Sequence, residues 1–198
     1  MAGDAIALPG HGGGPVQPTW DANLAVLPRA RLAIGYSLGA RVALGMLATG
    51  RAERAILISV NPGIPEAERA ARRAGDAAWA QRLRSDGLAA FLDAWTAQPL
   101  FASQVRVPAD RLAARRARRL AHDPEQLARS LEVMGLAEMP DYRGVTGAIA
   151  LIAGADDAKF VAIARAMGFP LELIADSGHD PTLEQPAALA AAITRLAS

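Results

Sequence analysis

Short apolar runs recur along the chain: AIAL at 5–8, RLAIGY at 31–36, RAILISV at 54–60, GAIALIAG at 147–154 and PLELIAD at 170–176. Turn residues close each run, and unbroken apolarity is the pattern of a strand covered on both faces. Between the runs lie stretches with helical spacing. Leu38 to Ala48 is apolar all round, whereas Phe160 to Met167 and Leu189 to Leu196 each carry one apolar face. Strand–helix alternation of this kind predicts an α/β fold, with a mostly parallel sheet and helices on both faces.

The alternation stops between Ile64 and Pro140. That stretch is rich in alanine, arginine and leucine, and contains no strand pattern. Its breaks near Ser85, at Pro99 and Pro108, and from His122 to Pro124 predict four helices. A helical insertion between two strands of a parallel sheet belongs over the strand ends as a cap. The expected organisation is a core of residues 1–63 and 141–198 with a helical cap of residues 64–140.

Charge narrows the partners. Twenty-one basic and twenty acidic residues leave a net charge of +1, which supplies no general attraction to nucleic acid or to a membrane. Neither is expected as a partner. Lys159 is the only lysine, and twelve arginines lie in the cap. Guanidinium suits forked recognition of carboxylate or phosphate; an arginine-favouring genome would give the same count. Cysteine is absent, which excludes disulfides, thiolate metal sites and a cysteine nucleophile. No cluster of metal ligands stands out, so neither a metal nor an organic cofactor is expected. The start, MAGDAIALPGHGGG, lacks the basic and apolar regions of a secretory signal. A cytoplasmic protein, monomeric or weakly homo-oligomeric, is the expectation.

The chemistry centres on AIGYSLGARVAL, residues 33–44. Its GYSLG fits G-x-S-x-G between a strand and a helix, the setting in which that motif forms a nucleophile elbow. The two glycines are expected to allow a turn that any Cβ would obstruct, with Ser37 thrust out at the strand end. The amide of Leu38, opening the next helix, is placed to donate to a developing oxyanion. Serine needs a base, and the histidines are His11, His122 and His179. His179 follows the last predicted strand, where a parallel sheet would deliver it to the serine. The preceding strand ends in GADDAKF, which offers Asp156 and Asp157 to orient the imidazole. Serine, acid, histidine is the chain order of α/β-hydrolases.

Longer strings carry a narrower resemblance. LPGHGG (8–13), GYSLGARVAL, NPGIPEAERAARR, WTAQPLFASQ (95–104), GADDAKF and SGHDPTLEQP together resemble the 2-succinyl-6-hydroxy-2,4-cyclohexadiene-1-carboxylate synthase family of the α/β-hydrolase superfamily. Generic esterases do not share QPLFASQ or DxKF. The resemblance implies a menaquinone-pathway lyase with Ser37, Asp157 and His179 as its triad, Asp157 standing two residues before KF. It implies further site residues at Tyr36, Trp95 and Arg41, and carboxylate-holding arginines at Arg72 (with Arg73 adjacent) and Arg119. It also implies the reaction: a proton leaves a cyclohexene dicarboxylate derivative and pyruvate is expelled from its enolpyruvyl ether. A small-molecule polycarboxylate suits arginine clamps.

The resemblance also implies strands ahead of AIAL and a His-Gly turn supplying a second oxyanion donor, and this chain starts after both. HGGG at 11–14 is no substitute, because 25 residues from Gly12 to Ser37 leave too little room for the lipase arrangement. Such a chain is expected to be a weak or inactive synthase, about 10²–10³ down for one lost donor. AIAL is then misplaced or frayed. Two other classes stay open on the residues: a small serine carboxylesterase or C–C hydrolase, and a truncated, inactive hydrolase-like domain.

Overall fold

The structure is a computed structural model that describes residues 4–198. The chain folds as two compact units, each assembled from separated stretches.

Residues Pro28–Pro62, Gln98–Pro108 and Tyr142–Ser198 form the sheet unit. Four strands, β1 (Ala30–Tyr36), β2 (Ala52–Ile58), β3 (Ala148–Gly154) and β4 (Leu171–Ile174), pair in that order and all in parallel. Ile34 stands opposite Ile56, Ile56 opposite Ala150, and Leu151 opposite Leu171. Alternation along each strand divides the apolar residues between the two faces. Ile56, Ile58, Ile152 and Ile174 pack against Leu189 and Ala192 of α8 (Pro186–Ala197). Leu57 and Leu151 point the other way and are fully buried. α2 (Leu38–Ala48) packs on β1 and β2, and α6 (Ala158–Met167) on β3 and β4. Two covered faces explain why β2 and β3 read as unbroken apolar runs.

The run AIAL, apolar like a strand but expected to be misplaced or frayed, joins no ladder. Ile6 is 47% exposed. The chain turns back at once after this run. The Leu8 carbonyl accepts from the amides of His11 (2.8 Å) and Gly13 (3.0 Å). A Cβ on Gly13 would collide with the backbone of Ala7 and Leu8, so the turn closes this tightly only around a glycine. β1 is therefore the edge strand of the described sheet, with Ile34 45% exposed.

The helical unit gathers the described residues up to Leu27 with Gly63–Ala97 and Ala109–Asp141. It contains α1 (Trp20–Ala25), α3 (Glu66–Thr96), α4 (Ala109–Leu120) and α5 (Pro124–Val133). α3 is two helices joined at Gly87, whose φ of 81° and ψ of 166° no helix contains. That break falls two residues beyond the expected Ser85. A 3-10 segment, Pro99–Arg106, belongs instead to the sheet unit. Ala80, Leu83, Phe91, Leu92 and Ala128 form the helical core. Around it the arginines are largely engaged: Arg84 meets both Glu125 and Glu132, and Arg69 donates to the carbonyls of Ala137 and Met139.

The turn at 8–14 carries a titrating group. His11 Nδ1 lies 3.3 Å from the Pro9 carbonyl, and its ring meets that of His122 edge-on, centroids 6.0 Å apart. Burial holds the His11 pKa below the ordinary range; the Pro9 carbonyl opposes this and the His122 charge adds to it. A histidine depressed in the fold binds its proton more tightly when the chain is unfolded. Its stabilising contribution is therefore complete above the unfolded value of about 6.5 and is lost as pH falls below that. The thermal midpoint should drop as pH falls through this window, and His11→Gln should flatten the drop. An unchanged acid slope in His11→Gln, measured by circular dichroism melts, would assign the acid sensitivity to other groups.

Candidate active site

The serine turn is built by backbone. β1 ends at Tyr36, and Ser37 adopts φ 51° and ψ −110° before α2 begins at Leu38. A positive φ on a residue other than glycine costs of order 1–3 kcal/mol and persists only where its surroundings enforce it. Here the Ser37 amide donates to the Ile58 carbonyl at 2.9 Å, and the Ser37 carbonyl accepts from the Arg41 amide at 3.1 Å. A Cβ on Gly35 would fall within the backbone of Gly39 and Ala40, so strand and helix approach this closely only over a glycine. Gly39 differs from the expectation for the motif: a Cβ there would meet nothing within 4 Å. Only the first glycine is sterically required. Leu38 occupies the first helical position, where amides have no intrahelical acceptor.

A second close approach brings acid and base together. A Cβ on Gly154, the last residue of β3, would strike the carbonyls of Gly178 and Ser177. Without one, the loop after β4 lies against the loop after β3, and the Asp156 amide donates to the Ser177 carbonyl at 2.9 Å. Asp157 caps α6: its Oδ1 accepts from the Phe160 amide at 3.2 Å. Its Oδ2 stands 2.9 Å from His179 Nδ1. Asp157 is 8% exposed and His179 2%. Asp156 is turned elsewhere, its carboxylate 2.5 Å from Arg106 Nη2. With a carboxylate on Nδ1, that nitrogen carries the proton and Nε2 is the acceptor. Nε2 lies 3.4 Å from the Ser37 hydroxyl, a separation open to tightening when a substrate fills the site.

Aromatic rings hold the imidazole. Phe160 lies 4.3 Å from it between centroids, Tyr36 5.6 Å and Phe101 6.1 Å. Phe101 comes from QPLFASQ and Phe160 from DAKF, the two strings that set the resemblance apart. Neither phenylalanine stands out from the strings that contain it. The available signal was an aromatic residue inside each. Ser103, also from QPLFASQ, packs its side chain where a Cβ on Gly178 would be.

Tyr36, Ser37, Leu38, Arg41, Asp157 and His179 thus share the sheet unit. Arg72, Trp95 and Arg119 belong to the helical unit. There Arg72 Nε donates to Asp76 at 2.8 Å, and Trp95 packs on Phe91 and Trp79 at 5.5 and 5.1 Å between centroids. Arg119 stands in the last turn of α4. Among the described residues no three histidine, aspartate or glutamate side chains gather as a metal site, and no helix is long and apolar enough to cross a membrane.

Comparison with known proteins agrees with the fold. The profile of the Alpha/beta hydrolase family matches residues 5–192. The 2-succinyl-6-hydroxy-2,4-cyclohexadiene-1-carboxylate synthase of Klebsiella pneumoniae (strain 342) is 36% identical over 208 aligned positions, covering 96% of this chain and 81% of that protein. Its counterpart in Salmonella newport (strain SL254) is 34% identical over the same shares. Among solved structures, MenH from S. aureus superposes with a TM-score of 0.88 at 30% identity, over 96% of this chain and 80% of that one. A thermophilic esterase from Thermogutta terrifontis, at 22% identity and TM-score 0.76 over 95% and 76% of the two chains, shares the fold.

The two elbow glycines should separate in a stability measurement. Gly35→Ala should cost at least about 1–3 kcal/mol, because rigid backbone must move to admit the methyl group. Gly39→Ala should be neutral or stabilising by up to ~1 kcal/mol, the helix propensity difference. Urea midpoints check both. Equal destabilisation by the two variants would contradict the steric account of the turn.

Proposed function

This chain belongs to the Alpha/beta hydrolase family and, within it, to the 2-succinyl-6-hydroxy-2,4-cyclohexadiene-1-carboxylate synthases; on that premise we propose that it expels pyruvate from 2-succinyl-5-enolpyruvyl-6-hydroxy-3-cyclohexene-1-carboxylate. The observation that carries the chemistry is the placement of His179 between the Asp157 carboxylate at 2.9 Å and the Ser37 hydroxyl at 3.4 Å. His179 Nε2 withdraws the hydroxyl proton, and the Ser37 oxygen takes the ring proton alpha to the succinyl ketone. The C–H electron pair passes into the ring as a dienolate. The ring double bond shifts by one position, the C–O bond to the enolpyruvyl group breaks, and the leaving enolate takes up a proton to become pyruvate. Asp157 keeps the proton on Nδ1 and stabilises the imidazolium formed in between. The Leu38 amide, in the unpartnered first turn of α2, faces the charge that develops on the ketone oxygen. Nothing in these steps requires an acyl-enzyme.

Substrate binding follows from charge. The succinyl, enolpyruvyl and ring groups each bear a carboxylate, which guanidinium holds in a fork. Arg41 follows Ser37 by one helical turn and so shares its side of α2. In the helical unit, Arg72 (its Nε oriented by Asp76) and Arg119 are the guanidinium groups that the family resemblance assigns to the remaining carboxylates.

Turnover of the enolpyruvyl substrate, followed as pyruvate release, tests the reading. Ser37→Ala should lower kcat by about 10²–10⁴-fold, the usual worth of positioned proton transfer. Accumulation of an acylated Ser37 seen by mass spectrometry, without pyruvate release, would replace the lyase with a covalent-serine hydrolase. Arg41→Ala should weaken turnover of the polycarboxylate by about 1.5–3 kcal/mol, the range for a lost charged hydrogen bond. An equal loss toward an uncharged ester would rule out its carboxylate role.

A further inference from the structure

The loop that bears His179 is held from behind by a second carboxylate. The Glu184 side chain, 3% exposed, accepts from the Gly178 amide at 2.8 Å through Oε2 and from the Asp180 amide at 3.2 Å through Oε1. These are the residues on either side of His179. Two backbone donors on one buried carboxylate are charge-assisted bonds, stronger than neutral ones and fixed in direction. Glu184 ends α7 (Pro181–Glu184), and its own amide donates to the Asp180 carbonyl at 2.9 Å, so carboxylate and loop brace each other. Arg106 lies outside this pair. Its Nη2 is 2.5 Å from Asp156 Oδ2 and 4.0 Å from Glu184 Oε2. One guanidinium therefore spans the neighbour of Asp157 and the carboxylate behind His179.

We propose that Glu184 is a positioning residue for His179: it sets the path of residues 178–180 so that the imidazole meets Asp157 and Ser37 together, with Arg106 coupling this clamp to the Asp156–Asp157 loop. The proposal rests on the reading of His179 as the proton carrier. Its two members differ in weight. Arg106 is half exposed, and exposed ion pairs contribute little. The Glu184 bonds are buried, and their removal strands two amides beneath the base. A shift of about 1 Å in a catalytic group costs on the order of 10²-fold in rate.

The experiment compares Glu184→Ala, Glu184→Gln and Arg106→Gln in the full chain. Its readouts are kcat and KM for the enolpyruvyl substrate and the low-field proton resonance of His179 Nδ1–H, identified by its loss in His179→Gln. Glu184→Ala should lower kcat by about 10²-fold with KM moved far less, and should broaden or abolish the resonance. Glu184→Gln keeps one acceptor and should restore part of both; it also stands in for the alanine variant if that one fails to fold. Arg106→Gln should have a small effect that salt reproduces in the wild type. A wild-type resonance and kcat in both Glu184 variants would overturn the proposal. A resonance lost as expected in a wild-type background that releases no pyruvate would leave the clamp standing and overturn the lyase reading instead.

Discussion

The site depends on the hydrogen bond between His179 Nδ1 and the buried Asp157 carboxylate. A carboxylate and an imidazole taken so far from water are costly unless each satisfies the other, and a buried charge left without its partner is costlier still. The surrounding structure is arranged to keep them paired. Gly154 lets the histidine loop touch the end of β3, α6 gives Asp157 a backbone donor at its start, and Phe160 covers the ring at 4.3 Å. Because Nδ1 is committed to the acid, Nε2 is left with one role, that of acceptor toward Ser37. The tautomer follows from the fold.

The parallel sheet supplies the second constraint. All four strands run the same way, so their carboxyl ends lie along one edge, and the residues after β1, β3 and β4 emerge together. Ser37, Asp157 and His179 are far apart in sequence, and this common edge together with the close loop approach over Gly154 brings them together in space. The strain stored at Ser37, with its φ of 51°, is balanced by the Ile58 carbonyl on its amide and by the helix that begins one residue later. Mobility at this point would exchange a positioned hydroxyl for a rotating one.

Charge in the helical unit is less uniform than composition suggests. Arg69, Arg73 and Arg84 are occupied in holding helices and turns: Arg84 bridges α3 to α5 through two glutamates, and Arg73 meets Glu138. Arg72 is oriented by Asp76, which is itself buried against Gly135. A stretch that reads as a uniform basic surface thus contains internal braces. The polycarboxylate reading needs only a few of its guanidinium groups.

Residue order and spacing alone were enough to indicate the class of fold, the helix from Leu38 to Ala48, the breaks of the helical stretch and the serine–acid–histidine order, because periodicity and turn chemistry are local properties. The resemblance of longer strings pointed to Asp157 over Asp156. Distance then showed which of the two meets the imidazole, since both lie in one short loop and only the direction of α6 separates them. The fate of AIAL was not local either. Its apolarity matches a strand, but a strand exists only where a neighbour offers a ladder, and the turn around Gly13 draws the segment aside. The same holds for Gly39, where a motif suggested crowding and space is open, and for Phe101, Phe160 and Glu184, whose work depends on a histidine tens of residues away in sequence or held through its neighbours' amides. Patterns repeat along a chain and can be read there; contacts between distant loops arise only when the sheet brings its strand ends together.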